Sequence, residues 1–454
     1  MIIENYRHRN KIIEFVNTRE LTHHENIFTI IVGKNGTGKS SLLNTIVRQF
    51  LGESQRRFYR DMELGFQRSY WNGEILSNSY PNQIIAVSTS PFDKFPISRR
   101  YNEVSNYTYL GLRDLMSANF GVAYMSKIFA SLVQSVIYRN TQAVDFGSVL
   151  DYLGYRENIH ANLSLNSSKR ILSDIIESKN PEEFINTTRY TPLRNFNRKF
   201  FYHENEEIDY SKVEHIRHLA HKIIENNIGI ECNMVISGNG FRLDHGYELL
   251  EDDILFLIQS GFLRLRNIGL ESKDTGEIFS IKDASSGEQS VILSILGIAS
   301  KIQDNSLICI DEPEVCLHPE WQEKYIQILI ATFSCYKDCH FIIATHSPQI
   351  IAKLSPTNCF ITSIEDGNLV NAERLINKSI DFQLAYVFNT PGYKNEYLSR
   401  IALNIFTKVG KRKKFDDDDL SKLKILEKQY YNLESSDPLK NIVEAIKEMY
   451  RIYV

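Results

Sequence analysis

Ile27-Phe28-Thr29-Ile30-Ile31-Val32 runs without a break into Gly33-Lys34-Asn35-Gly36-Thr37-Gly38-Lys39-Ser40, and this junction decides the fold. The first six residues are apolar or β-branched, the composition of a buried strand. After the glycines, Leu42, Leu43, Ile46, Val47 and Phe50 recur at helical spacing within Ser41–Phe50. Strand, glycine-rich turn and helix in that order make a phosphate-binding loop. Residues 33–40 match the pattern G-x-x-x-x-G-K-[ST] at every fixed position. The glycines let backbone N–H groups close around phosphate oxygens that side chains would block. Lys39 brings a point charge to the β and γ phosphates, and the Ser40 hydroxyl can ligate Mg2+. The helix that follows aims its positive end at the same anion. Gly33, Lys34, Asn35, Gly36, Thr37, Gly38, Lys39, Ser40 and the adjoining Ser41 are therefore the expected nucleotide contacts.

Two further strand ends carry acids and a histidine. Leu307 to Ile310 is an apolar run ending in Asp311-Glu312-Pro313-Glu314. A buried strand can hold an acid at its carboxyl end, where the crevice of an open α/β sheet lies. Asp311 is expected to hold Mg2+ through its water shell, and Glu312 to orient or deprotonate an attacking water. Phe341 to Ala344 ends in Thr345-His346-Ser347-Pro348, which makes His346 a site candidate. Ser285-Ser286-Gly287-Glu288-Gln289 precedes an apolar helix, Val291 to Ala299. Serine before a helix with an acid in its first turn reads as an N-cap. Such a helix start would also point N–H groups at a phosphate, so both readings use one geometry.

Together these motifs resemble those of ATP-binding-cassette ATPases. Ser286-Gly287-Glu288-Gln289 looks like their signature motif, Glu312 resembles their catalytic glutamate, and His346 the switch histidine that contacts the γ phosphate. Glu314 to Pro319, Glu-Val-Cys-Leu-His-Pro, is similar to the corresponding segment of the RecF, overcoming-lysogenization-defect and SMC-like branch rather than that of transporters. The resemblance implies a head-to-tail homodimer or higher oligomer with composite ATP sites. In it the signature residues Ser286 and Gly287, with Glu288 beside them, cap the ATP of the other protomer. One departure stands out. Such ATPases usually carry a glutamine after the strand that follows the first lobe's helix. Here Ile84 to Val87 leads into Ser88-Thr89-Ser90-Pro91-Phe92-Asp93, and Gln83 precedes the strand. A hydroxyl or Asp93 takes that place, or hydrolysis is slow.

The remaining sequence sets the frame. At 454 residues the chain exceeds what one core holds, since single cores stop growing at about 250–300 residues. Two or three lobes are expected. With 52 Lys+Arg against 56 Asp+Glu, the net charge of −4 argues against a surface built throughout to grip nucleic acid. The amino terminus is charged where a signal peptide needs an apolar run. Apolar stretches are short; Val291 to Ala299, broken by Ser294 and Gly297, is among the longest, so no membrane crossing is expected. Six cysteines, several in apolar strands, read as reduced thiols of a cytoplasmic protein. Cys335, Cys339 and His340 lie close together without a second ligand pair at zinc spacing, so no structural metal is expected there. The alternation of strands and helices predicts an α/β fold with a largely parallel central sheet, and the resemblance makes it an ABC-type ATPase head. Four segments are expected: residues 1–111 as the lobe with the phosphate loop, 112–260 as a mostly helical insertion, 261–365 as the lobe with the remaining motifs, and 366–454 as a helical, candidate partner-binding region. Asp416 to Asp419 follows a basic run and reads as a solvated charge run.

Exclusion narrows the role. The chain lacks the membrane segments of a transporter and the long arm of a chromosome protein. After Ser347 no strand ends in the lone glutamate and downstream Asp-x-Asp of a metal-dependent nuclease. The output is therefore expected to pass through a partner. A compact ATPase of this branch resembles bacterial anti-phage defence ATPases, above all the PtuA family of Septu and retron-linked systems. That resemblance implies an HNH-type nuclease partner (PtuB-like) and, in retron forms, a reverse transcriptase with its non-coding RNA. A sibling family implies a toprim-type effector instead. The alternative is a RecF/SMC-like DNA-repair ATPase that clamps DNA directly. Clusters at Arg56, Arg57 and Arg60, at Arg99 and Arg100, and at Lys411 to Lys414 could line its groove, although arginines scattered on solvated helices are the plainer reading.

Overall fold

The computed structural model describes residues 1–453 apart from 9–10, 23, 52–72, 98–105, 114–119, 139–145, 166–168, 179, 181, 185–196, 204–205, 226–230, 238–239, 244–250 and 316. Its centre is a seven-stranded sheet. In spatial order the strands are β15 (Leu369–Asn371), β14 (Cys359–Ser363), β3 (Ile27–Val32), β13 (His340–Ala344), β12 (Leu307–Asp311), β5 (Ile84–Ser88) and β6 (Tyr107–Leu110). Every neighbouring pair is parallel except β14 with β15. β3, β5, β12 and β13 are buried at every position, as strands covered on both faces should be.

Alternate side chains of these strands feed two cores. Ile27, Ile31, Ala86, Cys309 and Ile342 pack against Leu42, Leu43, Ile46 and Val47 of the helix Lys39–Phe50. Phe28, Ile30, Val87, Ile308 and Ile343 face the opposite side. There they meet the helices Phe120–Ile137, Ser286–Ala299 and Pro319–Thr332. Two smaller antiparallel sheets flank the centre. One is β2 (Lys11–Glu14), β1 (Ile3–His8) and β4 (Glu74–Ser77). The other is β11 (Ile278–Ser280), β10 (Leu263–Ser272), β7 (Tyr155–Leu165), β8 (Glu231–Ser237) and β9 (Gly240–Leu243).

This second sheet adds strands to the segment expected to be a mostly helical insertion. Among the described residues five α-helices lie in 112–260, and Ile128, Leu132 and Val136 are buried on one of them, Phe120–Ile137. Yet β7, β8 and β9 lie there too and pair onward to β10. In β7 the buried Ile159, Ala161 and Leu163 alternate with His160 and Asn162, a period of two that looks like interrupted helical spacing. The sheet also joins the insertion to the segment after residue 261, so 260 is not a boundary between packed units.

The last helices, Ile380–Tyr386, Glu396–Arg412, Asp417–Tyr430 and Pro438–Tyr453, close on a core of their own that includes Leu398, Ile405, Leu426 and Val443. Here the acidic run Asp416 to Asp419 is more than a solvated face. Asp416 and Asp419 form a reciprocal capping box at the start of Asp417–Tyr430, and Asp419 is buried. Lys408 bridges them, its Nζ 2.6 Å from Asp416 Oδ2 and 2.9 Å from Asp419 Oδ1. Among the described residues no helix is long and apolar enough to cross a membrane.

His340 stitches the first strand to the central sheet. The Ile3 amide donates to its Nδ1 (3.1 Å), so Nε2 carries the proton and donates to Thr29 Oγ1 (2.9 Å), which donates to the Phe15 carbonyl. Burial, and then the nearby terminal ammonium, lower the imidazole from 6.5 to about 3. A depressed histidine gives stability that is present above pH 6.5 and is lost as pH falls toward 3. Its share is about 1.4 kcal/mol for each pH unit below 6.5. Native-state NMR is expected to show this imidazole neutral down to pH 4; titration near 6.5 contradicts the assignment.

Candidate active site

Register fixes the site. Ile31 of β3 pairs with Ala344 of β13, Ala344 with Asp311 of β12, and Asp311 with Ser88 of β5. Four carboxyl ends therefore stand level, and the segments leaving them share one crevice. The ladder continues one step past the strands, with Thr345 N–H donating to Ile31 O (3.2 Å) and Glu312 N–H to Ala344 O (2.9 Å).

The phosphate loop leaves β3 with Lys34, Asn35 and Gly36 exposed. Gly36 and Gly38 have φ of +80° and +97°, a left-handed backbone that a side chain strains. A β-carbon on Gly33 would stand 2.5 Å from Ile364 Cγ2, so the loop also rests against the turn after β14. That turn grips it further, since Glu365 Oε1 accepts from the Lys34 amide (2.8 Å). The Lys39 ammonium is buried over its own loop, donating to Gly33 O (3.1 Å) and to His346 Nε2 (2.5 Å). An ammonium only donates, so that nitrogen of His346 is unprotonated. Burial, then the Lys39 charge, hold the imidazole below its usual range. The 3.5 Å contact between His346 Nε2 and Glu312 Oε1 is accordingly proximity rather than an ion pair.

Asp311 is almost fully buried, and its Oδ1 accepts from Ser40 Oγ (3.0 Å). Burial raises the carboxyl to about 7, with Glu312, Asp93 and Glu314 adding to the rise. Glu312 is partly exposed and has φ of +49°. A left-handed non-glycine residue stores about 1–3 kcal/mol of strain, a load found chiefly at functional positions. Lys39, Ser40, Asp311, Glu312 and His346 thus converge within one chain.

The signature residues stand apart. Ser285 rather than Ser286 is the N-cap of Ser286–Ala299, accepting from the Glu288 amide. Ser286 is exposed, Gly287 is buried, and Glu288 Oε1 accepts from the Tyr155 hydroxyl of β7 (2.9 Å). Among the described residues no hydrogen bond joins Ser286, Gly287 or Glu288 to residues 33–41. In the loop after β5, Asp93 accepts from the Tyr109 hydroxyl (2.6 Å) and pairs with Arg113 (3.3 Å), while Lys94 donates to Ser41 Oγ (2.8 Å). Asp93 is thereby engaged within its own lobe. Ser88, level with Asp311, Thr89, whose buried hydroxyl has no hydrogen-bond partner among the described residues, and Ser90 remain as the hydroxyls of that stretch. Sequence reading missed Lys94, Tyr155 and Glu365, whose roles depend on pairings across many residues. Of the basic clusters, Arg56, Arg57, Arg60, Arg99 and Arg100 lie outside the described residues, whereas Lys411 to Lys414 are exposed.

A family model for the AAA ATPase domain matches residues 1–351. The chain belongs to that family. It is an ATPase. Among curated proteins it is 23% identical over 403 residues to the "Retron Ec83 probable ATPase" of Escherichia coli, covering 78% of this chain and 69% of that one. To the "Retron Vc95 probable ATPase" of Vibrio cholerae it is 24% identical over 370 residues, covering 74% and 69%. Among solved structures, the Smc head domain of Pyrococcus furiosus bound to the C-terminal domain of ScpA is 12% identical. It covers 82% of this chain and 97% of that one, with a TM-score of 0.30.

In this ATPase the left-handed Gly38 also starts the helix Lys39–Phe50. Gly38→Ala is expected to weaken ATP binding at least tenfold, about 1.4 kcal/mol, with little loss of thermal stability. Nucleotide titration checks this, and an unchanged dissociation constant contradicts it.

Proposed function

We propose that this ATPase is the ATP-binding and hydrolysing regulatory subunit of a cytoplasmic bacterial anti-phage defence complex, controlling a separate nuclease through ATP-dependent dimerisation or further assembly. The observation that carries the proposal is a converged hydrolytic set with a signature helix bound to none of it in the same chain. The exposed Ser286 at a helix start supports the nucleotide of a second copy as its target. The two retron-named relatives support the defence setting; an HNH nuclease of the PtuB kind as the effector, and a reverse transcriptase with its RNA as further companions, are what the resemblance of the motifs implies.

The residues fit magnesium and a triphosphate. Ser40 and Asp311 offer hard oxygen donors, and a carboxyl raised by burial is one that a cation relieves. A bound magnesium ion would neutralise phosphate charge as the γ-phosphoryl group leaves. Lys39 is expected to exchange its carbonyl and imidazole partners for phosphate oxygens. Freed of Lys39, His346 Nε2 can donate to the γ phosphate once it carries a proton. Glu312, at the mouth of the crevice, orients the attacking water and accepts its proton.

Lys39→Ala is expected to abolish ATP binding. Glu312→Gln is expected to keep binding, stop turnover and lengthen the life of the dimer, seen as an ATP-dependent shift in sedimentation. Equal affinity of wild type and Lys39→Ala for ATP refutes the loop assignment. Copurification of the whole operon tests the regulatory role: a nuclease retained with the ATPase is expected. DNA cleavage by the ATPase alone, with no neighbouring product bound, overturns it. Duplex binding that falls steeply between low and moderate salt would favour the DNA-clamping alternative, with the exposed Lys411 to Lys414 as its contact.

A further inference from the structure

Glu314 lies three residues beyond Asp311, in the turn that leaves β12, and no cation pairs with it among the described residues. Its carboxylate reaches across to the neighbouring strand exit. Oε2 accepts from the Thr345 hydroxyl (2.8 Å), and Oε1 accepts from the amide of His346 itself (2.5 Å). Thr345 is the first residue past β13. Its own amide is tied to Ile31 O, and its hydroxyl also accepts from the Ser347 amide (2.9 Å). Ser347 in turn caps the short helix Pro348–Ala352. Each amide N–H of this three-residue link thus has an acceptor, and among the described residues that of His346 is supplied by Glu314.

We infer that Glu314 is the positioning residue for His346, holding its imidazole over the phosphate loop by clamping two consecutive residues with one carboxylate. This rests on the hydrolytic reading of His346 proposed above. The geometry suits the task. A planar group with two polar atoms in a fixed fork can meet the Thr345 hydroxyl and the His346 N–H together. Its backbone is set by the same turn that sets Glu312, with Val315 N–H donating to Glu312 O and Leu317 N–H to Glu314 O. Both hydrolytic candidates are therefore registered to each other through this side chain. Displacement of a reacting group by about 1 Å can slow a reaction by about a hundredfold. Burial raises the carboxyl above its ordinary range, opposed by the bonds it accepts from His346, from its own amide and from Thr345, so the clamp is an acid kept where solvation does not favour it.

The test uses the full-length chain, together with its operon partners if turnover requires them. Glu314→Ala is expected to lower kcat for ATP hydrolysis by about 10- to 100-fold while KM and the ATP dissociation constant stay within about threefold. Glu314→Gln keeps an acceptor for the His346 amide and can donate to the Thr345 oxygen, so it should retain most of the wild-type kcat. His346→Ala should be slow by itself, and adding Glu314→Ala to it should slow it no further. Wild-type kcat in Glu314→Ala overturns the inference. So do an equally slow Glu314→Gln, a joint loss of kcat and ATP binding, or effects that simply multiply in the double variant. Should Glu314→Ala fail to fold, Thr345→Val removes one arm of the clamp, and wild-type kcat there overturns the inference too. If His346→Ala hydrolyses ATP normally, the hydrolytic reading of the site fails whatever Glu314 does.

Discussion

Parallel pairing of β3, β13, β12 and β5 is the constraint from which the rest follows. The strands are buried on both faces, so slipping any one of them by a residue would exchange the side chains it gives to the two cores. Apolar packing thereby holds Ile31, Ala344, Asp311 and Ser88 at one height. The lysine, the acids and the histidine inherit their separation from that height. Chemistry at the crevice is thus positioned by side chains that take no part in it.

The polar side of the crevice is unbalanced by design of the backbone. Asp311, Glu312 and Glu314 follow one strand and face a single lysine, whose ammonium is itself held down by burial. Asp311 sits near neutrality rather than in the acid range because water cannot reach it. Such a cluster is at rest only when positive charge enters it, which ties a ligand-dependent change in electrostatics to the strand exits on which His346 also sits.

The engine was legible from the chain because its signals are local. A buried strand, left-handed glycines and an amphipathic helix occupy residues 27–50 contiguously, and Leu307 to Asp311 and Phe341 to His346 are just as compact. What escaped was non-local. Strand β7 hides because His160 and Asn162 break the apolar run at a period of two, and its partner β10 lies about a hundred residues on. Asp416 to Asp419 looked solvated because a capping box depends on where the next helix begins, and Lys408 supplies the counter-charge from another helix. Glu314 was visible as part of a motif, but its hold on His346 crosses between strands. The link from Tyr155 to Glu288, which joins the insertion to the signature helix, had no sequence signal at all.

The positive φ of Glu312 has a consequence beyond geometry. Glycine would occupy that backbone at ease, and asparagine nearly so, whereas glutamate is held there against its preference. Folding by itself would gain from replacing the acid. Under the role proposed for it, robustness would be traded for reactivity there, and sequences drifting toward greater durability would drift away from turnover at that position.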